Sequence, residues 1–362
     1  MMSSMDLTFL GTASAYPSPT RGVSCTALKH EDGSIWLFDC GEGSQIQLMR
    51  SLLKASKVNK IFITHLHGDH MFGLPGLMCT VSQNNQKTGQ LELYGPHGLR
   101  RFIRCSLQLS RSELTYNYVV HELQVVEEQL PAEWNTWTVN HDAEGSLHPN
   151  EHPGQQISPD EKGVWNLIED DRFVVKAVWL KHRIPSFGFC VEEKPTQGKL
   201  NDAMLRSMGV PPGPLYGKIK SGETIMSPTG EEVRPEDVLG PPRPGRKVII
   251  MGDTADSSQL MSVGLNADVL VHEATLENEL LAQALQNGHS TPEMAAVLGK
   301  SLNVGKLVLT HYSQRYKPLG AVTEKDDKSV SVLLEQAEAV LGKGKVICAE
   351  DFLTIPIPPR KA

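Results

Sequence analysis

The run Thr64-His65-Leu66-His67-Gly68-Asp69-His70 constrains this chain more than any other stretch. Its four metal-capable side chains follow the apolar segment Lys60-Ile61-Phe62-Ile63, which reads as a buried strand. If the extended backbone continues into the loop, His65 and His67 point the same way, because strand side chains alternate with period two. Gly68 permits a sharp turn, and Asp69 and His70 then project from a new direction. Two ligand pairs facing one volume suit two adjacent divalent ions. Three imidazoles and a carboxylate suit zinc, which takes nitrogen and oxygen donors. The bland alternative is a His cluster on a solvated turn. The strand before the run and Gly73-Leu74-Pro75-Gly76 after it favour a built site.

The same placement recurs along the chain. Phe173–Leu180 reads as a strand running into Lys181-His182, and Lys247–Met251 as one ending in Gly252-Asp253-Thr254. Asp268–Val271 leads to His272-Glu273-Ala274-Thr275, and Lys306–Thr310 ends at His311. Strand after strand ends in a residue competent for chemistry: His65, His182, Asp253, Glu273, His311. Open α/β architectures gather ligands at the C-terminal ends of strands, so the class expected is α/β.

Between these strands the loops differ in character. Residues 16–22 (Tyr-Pro-Ser-Pro-Thr-Arg-Gly) are too long for a tight hairpin, which makes Thr20 and Arg21 candidates for substrate contact. Asp39-Cys40-Gly41-Glu42-Gly43-Ser44 leads into a helix predicted over Gln45–Lys54, with Ile46, Leu48, Met49, Leu52 and Leu53 on one face. Asp39 and Glu42 either pack near the site or cap that helix. Glu122 to Asp171 is polar and irregular. His141, His148 and His152 there, like His30, His97 and His121 elsewhere, read as solvent-exposed. Glu193 to Gly245 holds nine prolines and eight glycines. It predicts little regular structure and little burial, as either a floppy linker or a protruding arm on a large ligand.

Composition limits the partners. A formal net charge of -7 argues against a generally basic nucleic-acid binder, so an RNA ligand would need local patches. Six cysteines without CxxC spacing read as reduced core residues. No apolar run suits a signal peptide or approaches the ~20 residues of a membrane span. The compartment expected is the cytosol, with the nucleus as a second candidate, and no membrane partner is expected.

The His-x-His-x-Asp-His run, the later strand-end His, Gly-Asp-Thr and the final Thr-His resemble the metallo-β-lactamase superfamily of dinuclear zinc hydrolases over almost the whole chain. Phe-Leu-Gly-Thr near the start, Asp-Cys-Gly-Glu-Gly-Ser-Gln, Gly-Leu-Pro-Gly-Leu, the Gly/Pro-rich segment, His-Glu-Ala-Thr and Gly-His-Ser-Thr narrow the resemblance. Together they are similar to the short, single-domain ELAC-type form of the ribonuclease Z family of tRNA 3′-processing endonucleases. The resemblance implies one αββα-sandwich domain over residues 1–362, with residues 193–245 as an inserted tRNA-binding arm. It implies two zinc ions, one on His65, His67 and His182 and one on Asp69, His70 and His311, with Asp253 bridging. It further implies Asp69 as general base, precursor tRNA as substrate, and a homodimer.

Outside that ligand set, His289 is the candidate for phosphate stabilisation or leaving-group protonation, with Glu273 raising its pKa. Arg315, four residues past His311, is a candidate phosphate contact. Three alternatives stay open: a thioester hydrolase of the same superfamily, a small-molecule phosphodiesterase, and a non-catalytic RNA-binding protein.

Overall fold

In the strand Ile35–Phe38 all four residues are buried, which a strand covered on one face does not allow. Trp36 and Phe38 point one way, into a cluster shared with Phe62, Phe187, Phe189 and Val248. Ile35 and Leu37 point the other way, against Leu48, Leu74 and Leu77. The strand Lys306–Thr310 divides likewise, Val308 joining the first cluster and Leu307 and Leu309 a third with Ala295, Leu298 and Leu333. Period-two alternation of apolar residues on both faces therefore builds four layers, helix–sheet–sheet–helix, with the aromatic cluster between the sheets.

This computed structural model describes residues 5–84, 89–132, 134, 145–321 and 328–361. The first sheet has nine strands. Its main path runs Thr354–Ile357, Met5–Gly11, Cys25–Lys29, Ile35–Phe38, Val58–Phe62, Leu91–Pro96, Tyr118–Leu123, Glu151–His152, and Gln156–Ile157 also pairs with Tyr118–Leu123. The second has seven, ordered Val346–Cys348, Lys306–Thr310, Val269–Glu273, Lys247–Ile250, Ser186–Glu193, Phe173–Leu180, Val164–Glu169. Ile35–Phe38 runs parallel to Val58–Phe62, and Lys247–Ile250 through Lys306–Thr310 run parallel, so their C-terminal ends share an edge. Phe173–Leu180, antiparallel to both its neighbours, points the same way as Lys247–Ile250.

Several expectations are corrected. The first helix is shorter than predicted, Ser44–Arg50, and buries Ser44, Gln47 and Leu48, whereas Ile46, Met49 and Leu52 stand exposed. The polar stretch 122–171 supplies an edge strand, Val164–Glu169, whose Trp165 is fully buried. His148 is also buried, its Nε2 2.8 Å from the Ser112 carbonyl, and His30 is buried between Trp36 and Phe173. His152 is exposed and His97 and His121 are partly so, while His141 lies outside the described residues. The closing strand Thr354–Ile357, paired with Met5–Gly11, carries no strong sequence signal.

The Gly/Pro-rich segment is neither floppy nor coreless. It forms the helices Asp202–Ser207, Pro214–Lys220 and Pro235–Val238 and a short hairpin, Ile225–Met226 with Glu232–Val233. Leu205, Val210, Ile219, Ile225, Val233 and Val238 pack into a small cluster of their own. Thr196 and Arg243 bond reciprocally at its neck, at 3.0 and 2.8 Å. Just outside the neck, buried Arg246 pairs with Glu193 at 2.7 Å and Glu31 at 2.9 Å. Ends held together this way let a 53-residue insertion leave the sheet it interrupts undisturbed.

Candidate metal centre

The strand Val58–Phe62 delivers His65 and His67 to its C-terminal end, and the turn Gly68–Met71 redirects Asp69 and His70. His182 follows Phe173–Leu180, Asp253 follows Lys247–Ile250, and His311 follows Lys306–Thr310. All seven predicted ligands converge. Donor atoms of His65, His67, His182 and Asp253 lie within 4.8 Å of one another, as do those of Asp69, His70 and His311. The two groups meet at Asp253. Its Oδ2 is 3.7 Å from His65 Nε2 and 3.9 Å from His182 Nε2, and its Oδ1 is 3.5 Å from His70 Nε2 and 3.4 Å from His311 Nε2.

The outer nitrogens decide which lone pairs point inward. Asp39 accepts from His70 Nδ1 at 2.7 Å and from Thr64 Oγ1 at 2.9 Å, which leaves the Thr64 hydroxyl oxygen to accept from His65 Nδ1 at 3.0 Å. Thr275 donates to Glu273, so its oxygen accepts from His311 Nδ1 at 3.0 Å. His182 Nδ1 donates to the Gly288 carbonyl at 2.6 Å. With every Nδ1 proton engaged, the Nε2 lone pairs of these four rings face the centre, the tautomer a metal ligand needs. His70 Nε2 and His311 Nε2 stand 3.2 Å apart, close enough for one cation to bind both. This donor set fits a nitrogen- and oxygen-preferring divalent ion such as zinc.

Two local backbone features serve the convergence. Gly288 has φ 77°, and a Cβ there would come within 2.8 Å of His182 Nδ1. His311 itself adopts φ 59°, a conformation uncommon for a residue with a side chain, held between the Ala274 N–H on the Thr310 carbonyl and the Tyr312 N–H on the Thr12 carbonyl, both at 2.9 Å.

Burial pushes the His65 and His182 pKa values down and takes His67 to about 4, all toward the neutral ligand form. Burial opposes charge on His70 too, but Asp253, Asp39 and Asp69 outweigh it and hold this ring well above its ordinary value. Burial likewise opposes ionisation of Asp253, and His311, His70 and His65 overcome it. Asp69 is held low by His70 and His311 against its burial, and the Ala15 N–H donates to its Oδ2 at 2.7 Å.

His289 and Glu273 are brought to the same place. His289 Nδ1 lies 3.2 Å from Glu273 and 3.7 Å from Asp253 Oδ2. Burial lowers the His289 pKa, yet Glu273 and then Asp253 raise it overall to about 9. Glu273 also accepts from the Thr254 N–H at 2.7 Å, so it anchors Asp253's own loop.

A cleft of about 450 Å³ opens onto the donors, lined by residues that include Ala15, Glu42, His67, Asp69, Phe72, Arg183, Asp253, His289 and His311. The predicted substrate contacts fare differently. Arg21 is buried, its guanidinium 4.9 Å over the Tyr312 ring and bonded to Thr12 at 2.9 Å. Thr20 is exposed, bonded through its N–H to Ser18, and Arg315 is exposed beside Ser313. Neither lines the cleft. Arg183 does, and only its place directly after His182 could have flagged it. Asp39 is an orienter of ligands, since the first helix starts from Gly43 with no side-chain cap. A separate hollow of about 240 Å³, bordered by Arg100, Arg101, Arg104 and Glu122, shares no residue with the cleft.

Comparison with known proteins agrees with this geometry. Residues 5–157 match the family described as Anti-Pycsar protein Apyc1. The chain is 50% identical to human zinc phosphodiesterase ELAC protein 1 over 99% of its own length and 100% of the relative's. It is 37% identical to ribonuclease Z of Bacillus subtilis, over 98% and 99% of the two chains. The crystal structure of human tRNase Z, short form (ELAC1), superposes with TM-score 0.67, covering 98% of this chain and all of that one at 39% identity. The metallo-β-lactamase fold protein YhfI of Bacillus subtilis, 15% identical with TM-score 0.56 over 98% of this chain and 99% of that one, shares the fold.

Proposed function

Because the chain belongs to the family of zinc phosphodiesterase ELAC protein 1 and ribonuclease Z, we propose that it is a zinc-dependent endoribonuclease acting on precursor tRNA. It removes the 3′ trailer by phosphodiester hydrolysis, leaving a 3′-hydroxyl on the tRNA and a 5′-phosphate on the trailer. The observation that supports this reading most is Asp253, whose two oxygens face different donor groups, as a carboxylate shared by two ions would. In this reading His65, His67 and His182 hold one zinc and Asp69, His70 and His311 the other, two per chain.

Bound zinc supplies Lewis acidity and lowers the pKa of water. The chain's own groups do the rest. Asp69, ionised and steadied by the Ala15 N–H, accepts a proton from the attacking water. His289, kept cationic by Glu273, contacts the phosphate and donates its proton to the departing 3′-oxygen. Arg183, exposed at the cleft wall, takes the phosphate contact first assigned to Arg315.

The packed insertion at 193–245 is the tRNA-gripping arm, an assignment supported by its exposed Lys199, Lys218 and Lys220. The same reading makes the protein a homodimer. Ile46, Met49 and Leu52, exposed on and just after one short helix, are the apolar surface that a second copy would cover. It works in the cytosol, with the nucleus as a further site, in keeping with its six free cysteines.

The test is zinc content per chain measured beside cleavage of a 3′-extended precursor tRNA. Two zincs and release of a 5′-phosphorylated trailer are expected. Fully metallated protein that leaves the precursor intact overturns the reading.

A further inference from the structure

Phe72 is 62% exposed, yet it lines the cleft that holds Asp69, Asp253, His289 and His311. Scattered exposed apolar residues are ordinary on a protein surface. This one is different because its mount is rigid and its surroundings are imidazoles and carboxylates. The Phe72 N–H donates to the Gly68 carbonyl at 2.9 Å, and the next N–H, of Gly73, donates to Cys40 at 2.9 Å. One edge of the ring, Cδ2 to Cζ, lies against Gly68, where a Cβ would come within 2.4 Å of Phe72 Cε2. From the outer helix layer Phe102 stacks on it, centroids 6.2 Å apart and planes 25° from parallel. Gly68 thus does more than turn the chain between His67 and Asp69. Its bare backbone is the seat of an aromatic ring held at the mouth of the centre.

Single-stranded RNA is gripped by stacking splayed bases on aromatic side chains, a contact open to every base because every base has a π-face. A diester cut at the donor cluster carries one base on each side of the scissile phosphate. We propose that Phe72 is the stacking platform for one of these two bases, an inference that rests on the reading of the cleft as a precursor-tRNA cleavage site. It makes Phe72 a substrate-binding residue that orients the strand in line with Asp69 and His289 and contributes no proton or ligand.

The test compares wild type, Phe72→Leu and Phe72→Trp on three precursors: intact, abasic just 5′ of the cut, and abasic just 3′ of it. Phe72→Leu should lower kcat/KM on the intact precursor about tenfold to a hundredfold, the range base–aromatic stacking gives. On one of the two abasic precursors it should match wild type, and Phe72→Trp should restore cleavage of the intact one. Equal losses on all three substrates, no loss on any, or reduced zinc content in Phe72→Leu each overturn the platform while leaving the proposed function intact. A wild-type protein that cuts none of the precursors removes both.

Discussion

Asp39 Oδ2 accepts a hydrogen bond from His70 Nδ1 at 2.7 Å, while Asp39 Oδ1 accepts from the Thr64 N–H at 2.7 Å. One buried carboxylate, in a left-handed backbone conformation (φ 62°), thereby sets the tautomer of one ligand directly and of His65 through the Thr64 hydroxyl. Carboxylates that orient metal-bound imidazoles typically govern affinity by about 10- to 100-fold. Asp39→Asn is predicted to lower zinc affinity in that range with the fold intact, measured by competition against a chromogenic chelator. Unchanged affinity would mean that the contact is only structural.

The second prediction concerns pH. Glu273 holds His289 protonated up to about pH 9, and the protonated form is the one proposed to donate. Activity should therefore fall on the alkaline side as His289 loses its proton. Replacing Glu273 by Gln removes the nearest anion, so the His289 pKa drops and the alkaline limb of the kcat profile moves to lower pH by about one unit or more. A limb that stays in place assigns the proton donor elsewhere.

The third prediction uses the neck of the arm. Because Thr196 and Arg243 already bond to each other, residues 197–242 can be replaced by a short Gly-Ser link without pulling on the sheet. The shortened protein should keep its zinc and its hydrolysis of a nitrophenyl phosphodiester, and bind precursor tRNA at least about tenfold more weakly, the scale of losing one or more phosphate contacts. Full tRNA affinity after the deletion would remove the arm from recognition.

A fourth prediction lies far from the centre. His30 is buried against Trp36 and Phe173 with no hydrogen-bond partner for either ring nitrogen among the described residues, and burial lowers its pKa to about 4. The unfolded chain takes up a proton here near pH 6.5, whereas the folded one resists until about 4. Stability from this site is full above pH 6.5 and declines as pH falls toward 4, by about 3 kcal/mol in all. In His30→Leu, denaturant melts at pH 7.5 and pH 5 should show about 2 kcal/mol less acid destabilisation than wild type. An identical acid response would exclude His30 as a source.

The ligand set was legible because each ligand follows a short apolar run that reads as a buried strand, and strands running in one direction bring their ends to one edge. The orienting groups were harder to read. Thr64 and Thr275 act through single hydroxyls whose partners lie up to 36 residues away, and Asp39 looked equally suited to a helix cap. Amphipathic periodicity correctly found the helix at Ser44–Arg50, but it could not say that Ile46 and Met49 face outward, since the pattern records apolarity and not what covers it. In the arm, turn residues so dominate the composition that six apolar side chains meeting from five separate short stretches leave no periodic trace. Arg21 misled for a related reason. A cation in a loop suggests a ligand, and only the fold reveals the Tyr312 ring beneath it.

The donors come from both sheets: His65 to His70 from the first, and His182, Asp253 and His311 from the second. No fragment of the polypeptide holds the whole set until residue 311 has been made and both halves have closed on each other. A chain still emerging from the ribosome, or one cut short before that point, therefore lacks a complete donor set.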